Sequence, residues 1–278
     1  MAWPIGGGRP LVRPSEQWFM EPTDVSVLVF NSDMANPTHN LVAPFILEQD
    51  ADVVVVLEPV WEFFAGVVTF GIFGEPYPFH LVRKSEHDTM ARILVLSKWG
   101  LSVRADEQLP NADGLVCEVH RPEELGGSFF VVVTHPPSPR NPQRWESGNQ
   151  SVRHLSIRLR SLIKSGEQAV LAADLNATPG SVRDRILRTQ AGITRSKPVL
   201  GRWGSYPASW GLGRIAIDDV WCSPKVGVRS WKTVLGPGSD HRAIRVVLSI
   251  PRRNNAHERG GSSADPRSND RYDEHDGP

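Results

Sequence analysis

Residues 128–179 read SFFVVVTHPPSPRNPQRWESGNQSVRHLSIRLRSLIKSGEQAVLAADLNATP. SFFVVVTH is a run of aromatic and β-branched residues that stops at His135, as a buried strand would. Pro142 suits a first helical turn, and Val152, Leu155, Leu159 and Leu162 recur at intervals of three and four, which predicts a helix over 142–164. QAVLAADL then reads as a second apolar strand, ending in Asp174 with Asn176 two residues on. A strand that delivers an imidazole or a carboxylate from its end builds a rigid site, so this strand, helix and strand carry both architecture and candidate chemistry.

The pattern continues outward. VSVLVF (25–30) ends in Asn31, ADVVVVL (51–57) ends in Glu58, and the helical stretch THNLVAPFILEQ between them makes a β-α-β opening. PFHLVRK, ARILVLS, GLVCEVHR and SFFVVVTH follow as four strand candidates with no room for helices from residue 92 onward, which predicts an antiparallel meander. After Asp174 come a short helix, SVRDRILRTQAG, ending at Gly192, and the strands IAIDDVWCS, VRSWKTVL and RAIRVVLSI. The run IAI is expected to end in Asp218. Only Ser239, Asp240 and His241, entered from the turn Gly236-Pro237-Gly238, precede a strand instead of following one. An acid and an imidazole side by side are costly if buried without partners and ordinary if solvated. Taken singly, each of these polar residues is a turn former, a cap or a satisfied core group; together they require six coincidences.

The chain has 278 residues and equal numbers of basic and acidic side chains, 31 of each, which suits one globular domain. Charge balance removes any general attraction to nucleic acid or anionic membrane, so a polyanionic substrate has to be held by a local patch or a metal. The two cysteines, Cys117 and Cys222, sit in strand-like apolar surroundings and read as buried free thiols. Residues 53–73 are apolar, but Glu58, Pro59 and Glu62 favour a buried strand, a turn and a packed helix over a membrane span. MAWPIGGGRPLVRPSEQ lacks the pattern of a signal peptide, and 252–278 has almost no apolar residues. The expected organisation is an irregular segment 1–23, a domain 24–250 and a disordered tail 251–278, in a monomer without a stable protein partner and cytoplasmic by default.

Over residues 24–250 the chain resembles the endonuclease/exonuclease/phosphatase superfamily, the deoxyribonuclease I-like group. The resemblance rests on Asn31 in LVFNSD, Glu58 in VVVVLEP, His135 in VVTHPPSP, Asp174 and Asn176 in AADLNATP, Asp218 in IAIDDVW, and Ser239, Asp240 and His241 in GSDHRAI. HPP followed by a long helix and LNATP looks most like the uncharacterised bacterial YafD-like branch. Leu57, Ala173, Asp219 and Ala243 depart from the usual family residues, and none of these removes a reactive group. The resemblance implies an α/β fold, a four-layer α/β/β/α sandwich with two mixed, largely antiparallel sheets.

It also implies a divalent-metal-dependent phosphoesterase acting by direct attack of an activated water. A phosphate ester repels an incoming water, and a hard divalent ion on oxygen ligands removes part of that repulsion. Mg²⁺, or Mn²⁺ in its place, would be held by Asn31 and Glu58 with Asp240 nearby. Asp218 would orient His241; Asp174 and Asn176 would stand on the attack side; His135 would donate to a phosphoryl oxygen. Asp174 and His241 both remain candidates for the base. Lys98 reads as a solvated surface lysine, and Asp219 as solvent-facing. The substrate is a phosphate ester, nucleic acid among the candidates, with nuclease activity slightly favoured over phosphatase, phospholipid phosphodiesterase or a silent binding module. Residues 136–150 and 195–214, rich in Arg and Trp, are the candidate specificity loops.

Overall fold

Strands buried on both faces must feed two cores, and the alternation of their side chains shows which. The computed structural model describes residues 23–84, 92–103, 114–198, 204–210 and 213–251. In β2 (Val53–Leu57), Val53, Val55 and Leu57 face one apolar core while Val54 and Val56 face another, packed against α1 (Val42–Gln49) and α2 (Trp61–Phe70). In β7 (Phe129–Thr134), Phe129, Val131 and Val133 enter the same shared core as β2, and Phe130 and Val132 pack beneath α3 (Pro142–Lys164). The shared core therefore lies between two sheets and each outer core lies between a sheet and helices. This is the four-layer α/β/β/α arrangement.

Among the described residues each sheet has six strands. The remaining strands are β1 (Thr23–Asn31), β3 (Phe79–Lys84), β4 (Arg92–Ser97), β5 (Gly100–Val103), β6 (Gly114–His120), β8 (Ala169–Asp174), β9 (Thr194–Arg195), β10 (Asp218–Cys222), β11 (Gly227–Leu235) and β12 (Arg242–Ile250). The first sheet runs β11-β12-β1-β2-β4-β3 and the second β5-β6-β7-β8-β10-β9. Both are mixed: β1 and β2 pair in parallel, as do β7 and β8, and all other pairs are antiparallel.

The long helix spans the residues its periodicity predicts. The Asn141 side chain accepts from the Arg144 N–H at 2.9 Å, Pro142 occupies the first turn, and Val152, Leu155, Leu159 and Leu162 are buried. The expected meander is corrected. β3 and β4 pair in the first sheet, whereas β5, β6 and β7 pair in the second, so the chain changes sheets between Ser97 and Gly100. The short strand β5 was not anticipated, because GLSV is half-buried and carries no strong apolar run. A second correction concerns Asp218, which opens β10 instead of closing the run IAI.

That correction explains how the site assembles. Strands running parallel to β1 or β8 bring their C-terminal ends to one edge, and antiparallel neighbours bring their N-terminal ends to the same edge. Asp218 is thus the cross-strand partner of Asp174, and His241 stands just before β12, the antiparallel neighbour of β1.

Cys117 and Cys222 are buried thiols in the inter-sheet core. No helix among the described residues is long and apolar enough to cross a membrane. The segment before Thr23 and the tail from residue 252 lie outside the described residues; Thr23 already belongs to β1, paired with Ile250. Because Leu159 is fully buried beneath the second sheet, Leu159→Ala is expected to cost about 2–5 kcal/mol, read as a lower urea midpoint at an unchanged slope.

Candidate active site

Two tight backbone turns set the first pair of acids. Glu58 follows β2 with φ of 50°, a left-handed conformation that is costly for a side chain with a Cβ, and Ser32 braces it by donating its hydroxyl to the carbonyls of Leu57 and Glu58 at 3.3 and 3.1 Å. Asn176, with φ of 47°, follows β8 in the same manner, its N–H donating to Asp174 Oδ1 at 2.8 Å. These turns aim Glu58 from the first sheet and Asp174 from the second at common partners. Asn31 Nδ2 donates to Asp174 Oδ2 at 3.1 Å and lies 3.4 Å from Glu58 Oε1. His135 Nε2 lies 3.1 Å from Glu58 Oε1, 3.6 Å from Asp174 Oδ2 and 3.2 Å from Asn176 Nδ2. A protonated His135 gives Nε2–H to Glu58, whereas a neutral ring protonated on Nδ1 accepts from Asn176.

The second group is an acid–imidazole pair. His241 Nδ1 and Asp218 Oδ2 are 2.8 Å apart, both residues are buried, and Asp174 Oδ2 stands 3.8 Å from the same ring nitrogen. The stretch before β12 is tied down on all sides. Ser239 Oγ donates to Asn31 O at 2.7 Å and accepts from His241 N at 3.0 Å. Asn36 Nδ2 donates to Pro237 O at 2.7 Å and to Ser32 O at 2.9 Å, which joins the Gly-Pro-Gly turn to the loop after β1. Gly238 has φ of 67°, and a Cβ there would collide with the Asn36 and Thr38 side chains, so the turn requires glycine. From a third direction, Ser205 Oγ accepts from Asp218 N at 3.2 Å, Ser205 O accepts from Arg242 N at 2.8 Å, and the Tyr206 ring packs 4.9 Å from the imidazole of His241.

Burial opposes a charged imidazole, but the charge and hydrogen bond of Asp218, with the charges of Asp174 and Asp240, outweigh it and raise the His241 pKa to about 10. His135 is raised as well, its burial outweighed by the hydrogen bond and charge of Asp174 and the charges of Glu58 and Asp218. Burial would favour the neutral acid at Asp174; the hydrogen bond and charge of His135, the His241 charge and the Asn176 N–H hold it well below the usual carboxylate range.

The structure thus brings together Asn31, Glu58, His135, Asp174, Asn176, Asp218 and His241. Asp240 stands apart: its side chain is about half exposed (53%), its Oδ1 is 3.7 Å from His241 Nε2, and among the described residues no hydrogen bond or ion pair joins it to Asn31 or Glu58. One other reading changes. Asp219 does not face solvent; it is buried, with Oδ1 accepting from Ser196 Oγ and Trp231 Nε1, both at 3.1 Å, and Oδ2 3.4 Å from Arg195. Lys98 pairs with Asp50 at 2.8 Å and Asp52 at 3.4 Å, at the end of the first sheet away from Glu58. Sequence reasoning missed Ser205 and Tyr206, whose loop shows only as Arg- and Trp-rich, and Arg183, which lies within a predicted short helix.

A model of the Endonuclease/Exonuclease/phosphatase family matches residues 28–241, and the chain belongs to that family. Solved structures share the fold at low identity. An endonuclease/exonuclease/phosphatase from Bacteroides vulgatus is 18% identical with a TM-score of 0.62, covering 82% of this chain and 99% of its own. The human Nocturnin catalytic domain with bound sulfate is 15% identical with a TM-score of 0.63, covering 82% and 93%. The mannosyl-6-phosphatase Bt3783 of Bacteroides thetaiotaomicron is 12% identical with a TM-score of 0.58, covering 81% and 100%. No curated protein matches the chain. These comparisons reach the family and no branch within it.

Members of this family typically depend on a divalent metal, and the residues here fit one. Glu58 Oε1 and Asp174 Oδ2 converge on the Asn31 amide, and the Glu58 side chain is 21% exposed, which leaves room for the waters Mg²⁺ retains. The ligand atoms of Asp174, Asp218 and His241 also lie within 4.8 Å of one another and could hold a cation, with Asp218 Oδ1 buried and accepting no hydrogen bond among the described residues.

In metal-free protein His241 should titrate far above an ordinary imidazole, and Asp218→Asn should bring the value down, as histidine titration by NMR would show. Because the folded pKa is raised, the pair's contribution to stability is full below about pH 6.5, the unfolded value, and is lost as pH rises towards about 10. Denaturant titrations of wild type and Asp218→Asn across that window check the sign.

Proposed function

We propose that the protein is a divalent-metal-dependent phosphoesterase that hydrolyses a phosphodiester or phosphomonoester by direct attack of an activated water. The observation that carries this reading is the hydrogen-bonded Asp218–His241 pair facing Asp174, whose carboxylate shares the Asn31 amide with Glu58. A bound Mg²⁺ or Mn²⁺, on Glu58 and Asn31, would act as a Lewis acid that offsets the phosphate charge.

With Nδ1 committed to Asp218, Nε2 of His241 is the nitrogen open to a water. Asp174 accepts from Asn176 N and from Asn31 and is held well below the usual carboxylate range, which makes it a poor proton acceptor, so its part is to hold charge and geometry. A cation bound beside the ring would oppose the imidazolium charge, and His241 in the neutral form so favoured would take one proton as the water oxygen bonds to phosphorus. The ester P–O bond breaks on the far side, and the leaving oxygen is protonated from solvent. His135 and the Asn176 amide donate to phosphoryl oxygens as negative charge builds.

A nucleic-acid substrate is favoured by the segments that follow His135 and Tyr206 in the chain. Trp145, on the first turn of α3 with exposed Arg140 and Arg144 near it in sequence, is 44% exposed, and Trp210, four residues beyond Tyr206, is 58% exposed. Exposed indoles and guanidinium groups suit stacked bases and a charged backbone.

The test is a panel of plasmid DNA, abasic DNA, RNA, inositol phosphates, sphingomyelin and bis-p-nitrophenyl phosphate, each with Mg²⁺, Mn²⁺ or EDTA. Turnover should require the metal, and Glu58→Ala should weaken the metal dependence more than it harms the fold; undiminished turnover in excess EDTA would refute the reading. Asp174→Asn and His241→Ala should each lower kcat by at least about a hundredfold while the protein stays folded. A kinetic double-mutant cycle separates pairing from independent action. If Asp218 serves through His241, the double variant Asp218→Asn/His241→Ala should be scarcely slower than His241→Ala, whereas multiplied losses would mean separate roles.

A further inference from the structure

α4 (Val182–Ile186) carries a charge that the site described above does not use. The Arg183 side chain is buried at 2% exposure, and no carboxylate pairs with it among the described residues. Its guanidinium donates to three neutral oxygens: Nη1 to Leu175 O at 2.6 Å, Nη2 to Pro137 O at 2.9 Å and Nε to Asn149 Oδ1 at 3.3 Å. Burying a guanidinium with no carboxylate bonded to it, and only the charge of Asp174 acting on it through space, is an expensive way to brace a loop. What it supplies is three donors in fixed directions, which neither lysine nor an apolar residue can reproduce.

The acceptors are informative. Leu175 O belongs to the peptide whose N–H is that of Asn176, and that N–H donates to Asp174 Oδ1. One peptide plane is thus gripped on both sides, by Arg183 at the carbonyl and by Asp174 at the amide, and this grip holds Asn176 in its left-handed conformation. Pro137 O lies two residues beyond His135, and the neighbouring Pro136 O accepts from Asn176 Nδ2 at 3.2 Å. Arg183 therefore spans the two loops that carry His135 and Asn176. Gly148 on α3 makes room for it, since a Cβ there would overlap the guanidinium and stand 3.3 Å from Pro137 O.

We propose that Arg183 is a positioning residue, which locks the Leu175–Asn176 peptide and the Pro136-Pro137 loop together so that Asn176 and His135 meet the same phosphoryl group. This rests on the phosphoesterase reading. Arg183 touches no reacting atom, so its loss should slow the chemical step and leave substrate binding largely intact.

The variants are Arg183→Lys, which keeps the charge and loses the fork, and Gly148→Ala, which keeps the arginine and displaces it. On whichever panel substrate the wild type hydrolyses, kcat should fall about 10- to 100-fold in both, with KM within about threefold. In metal-free protein the His135 ring-nitrogen NMR signals should shift in both. Folded variants with kcat within about twofold of wild type and unmoved His135 signals would overturn the proposal. If Arg183→Lys does not fold, Gly148→Ala decides; failure of both to fold would assign Arg183 to stability alone and also overturn it. A wild type inactive on the whole panel would refute the phosphoesterase reading, while the His135 signals would still judge Arg183.

Discussion

Two carboxylates that belong to different sheets are aimed at one amide and one imidazole, and the rest of the molecule has to make that meeting tolerable. Glu58 and Asp174 repel, and at a largely buried edge they do so with little water to screen them. Asn31 and His135 lie between them as donors. Because Asn31 and Glu58 come from the first sheet and His135 and Asp174 from the second, the meeting exists only while the sheets keep their spacing. That spacing is set by the dry core of valine, leucine and isoleucine side chains between them.

Around this edge the chain uses small polar residues as rivets. Ser32, Asn36, Ser205 and Ser239 are buried or nearly so, and each satisfies backbone groups of a neighbouring loop. Such groups would be costly in a core if unpaired, and paired they specify one arrangement of the loops. The contrast between adjacent residues of β10 makes the same point. Asp218 turns to His241, whereas Asp219 turns to Arg195, Ser196 and Trp231 and serves the structure. One residue of strand pleat separates the carboxylate that meets the His241 imidazole from a structural one.

The polar strand ends and the exposed indoles lie on different parts of the chain. The strand ends bear the carboxylate, imidazole and amide groups; of the exposed tryptophans, Trp61 opens α2, Trp145 lies on the first turn of α3 and Trp210 in the loop beyond Tyr206. Structural relatives described as a phosphatase and as the Nocturnin catalytic domain share the sheets at 12–15% identity, in keeping with a scaffold on which loops are free to vary.

Apolar runs that stop at a polar residue were enough, from sequence alone, to predict most strands, the helix over 142–164 and the residues at the strand ends, because burial on both faces leaves little freedom in composition. They did not show that the chain changes sheets after Ser97, since an apolar strand reads the same in either sheet. They placed Asp218 at the end of a run when it begins β10, because only pairing defines where a strand starts. The burial of Asp219 and Arg183, and the separation of Asp240 from Asn31 and Glu58, were likewise decided by tertiary structure. A charged side chain reads as exposed until packing supplies its partners, and those partners lie as far as 46 residues away in the chain, as Pro137 does from Arg183.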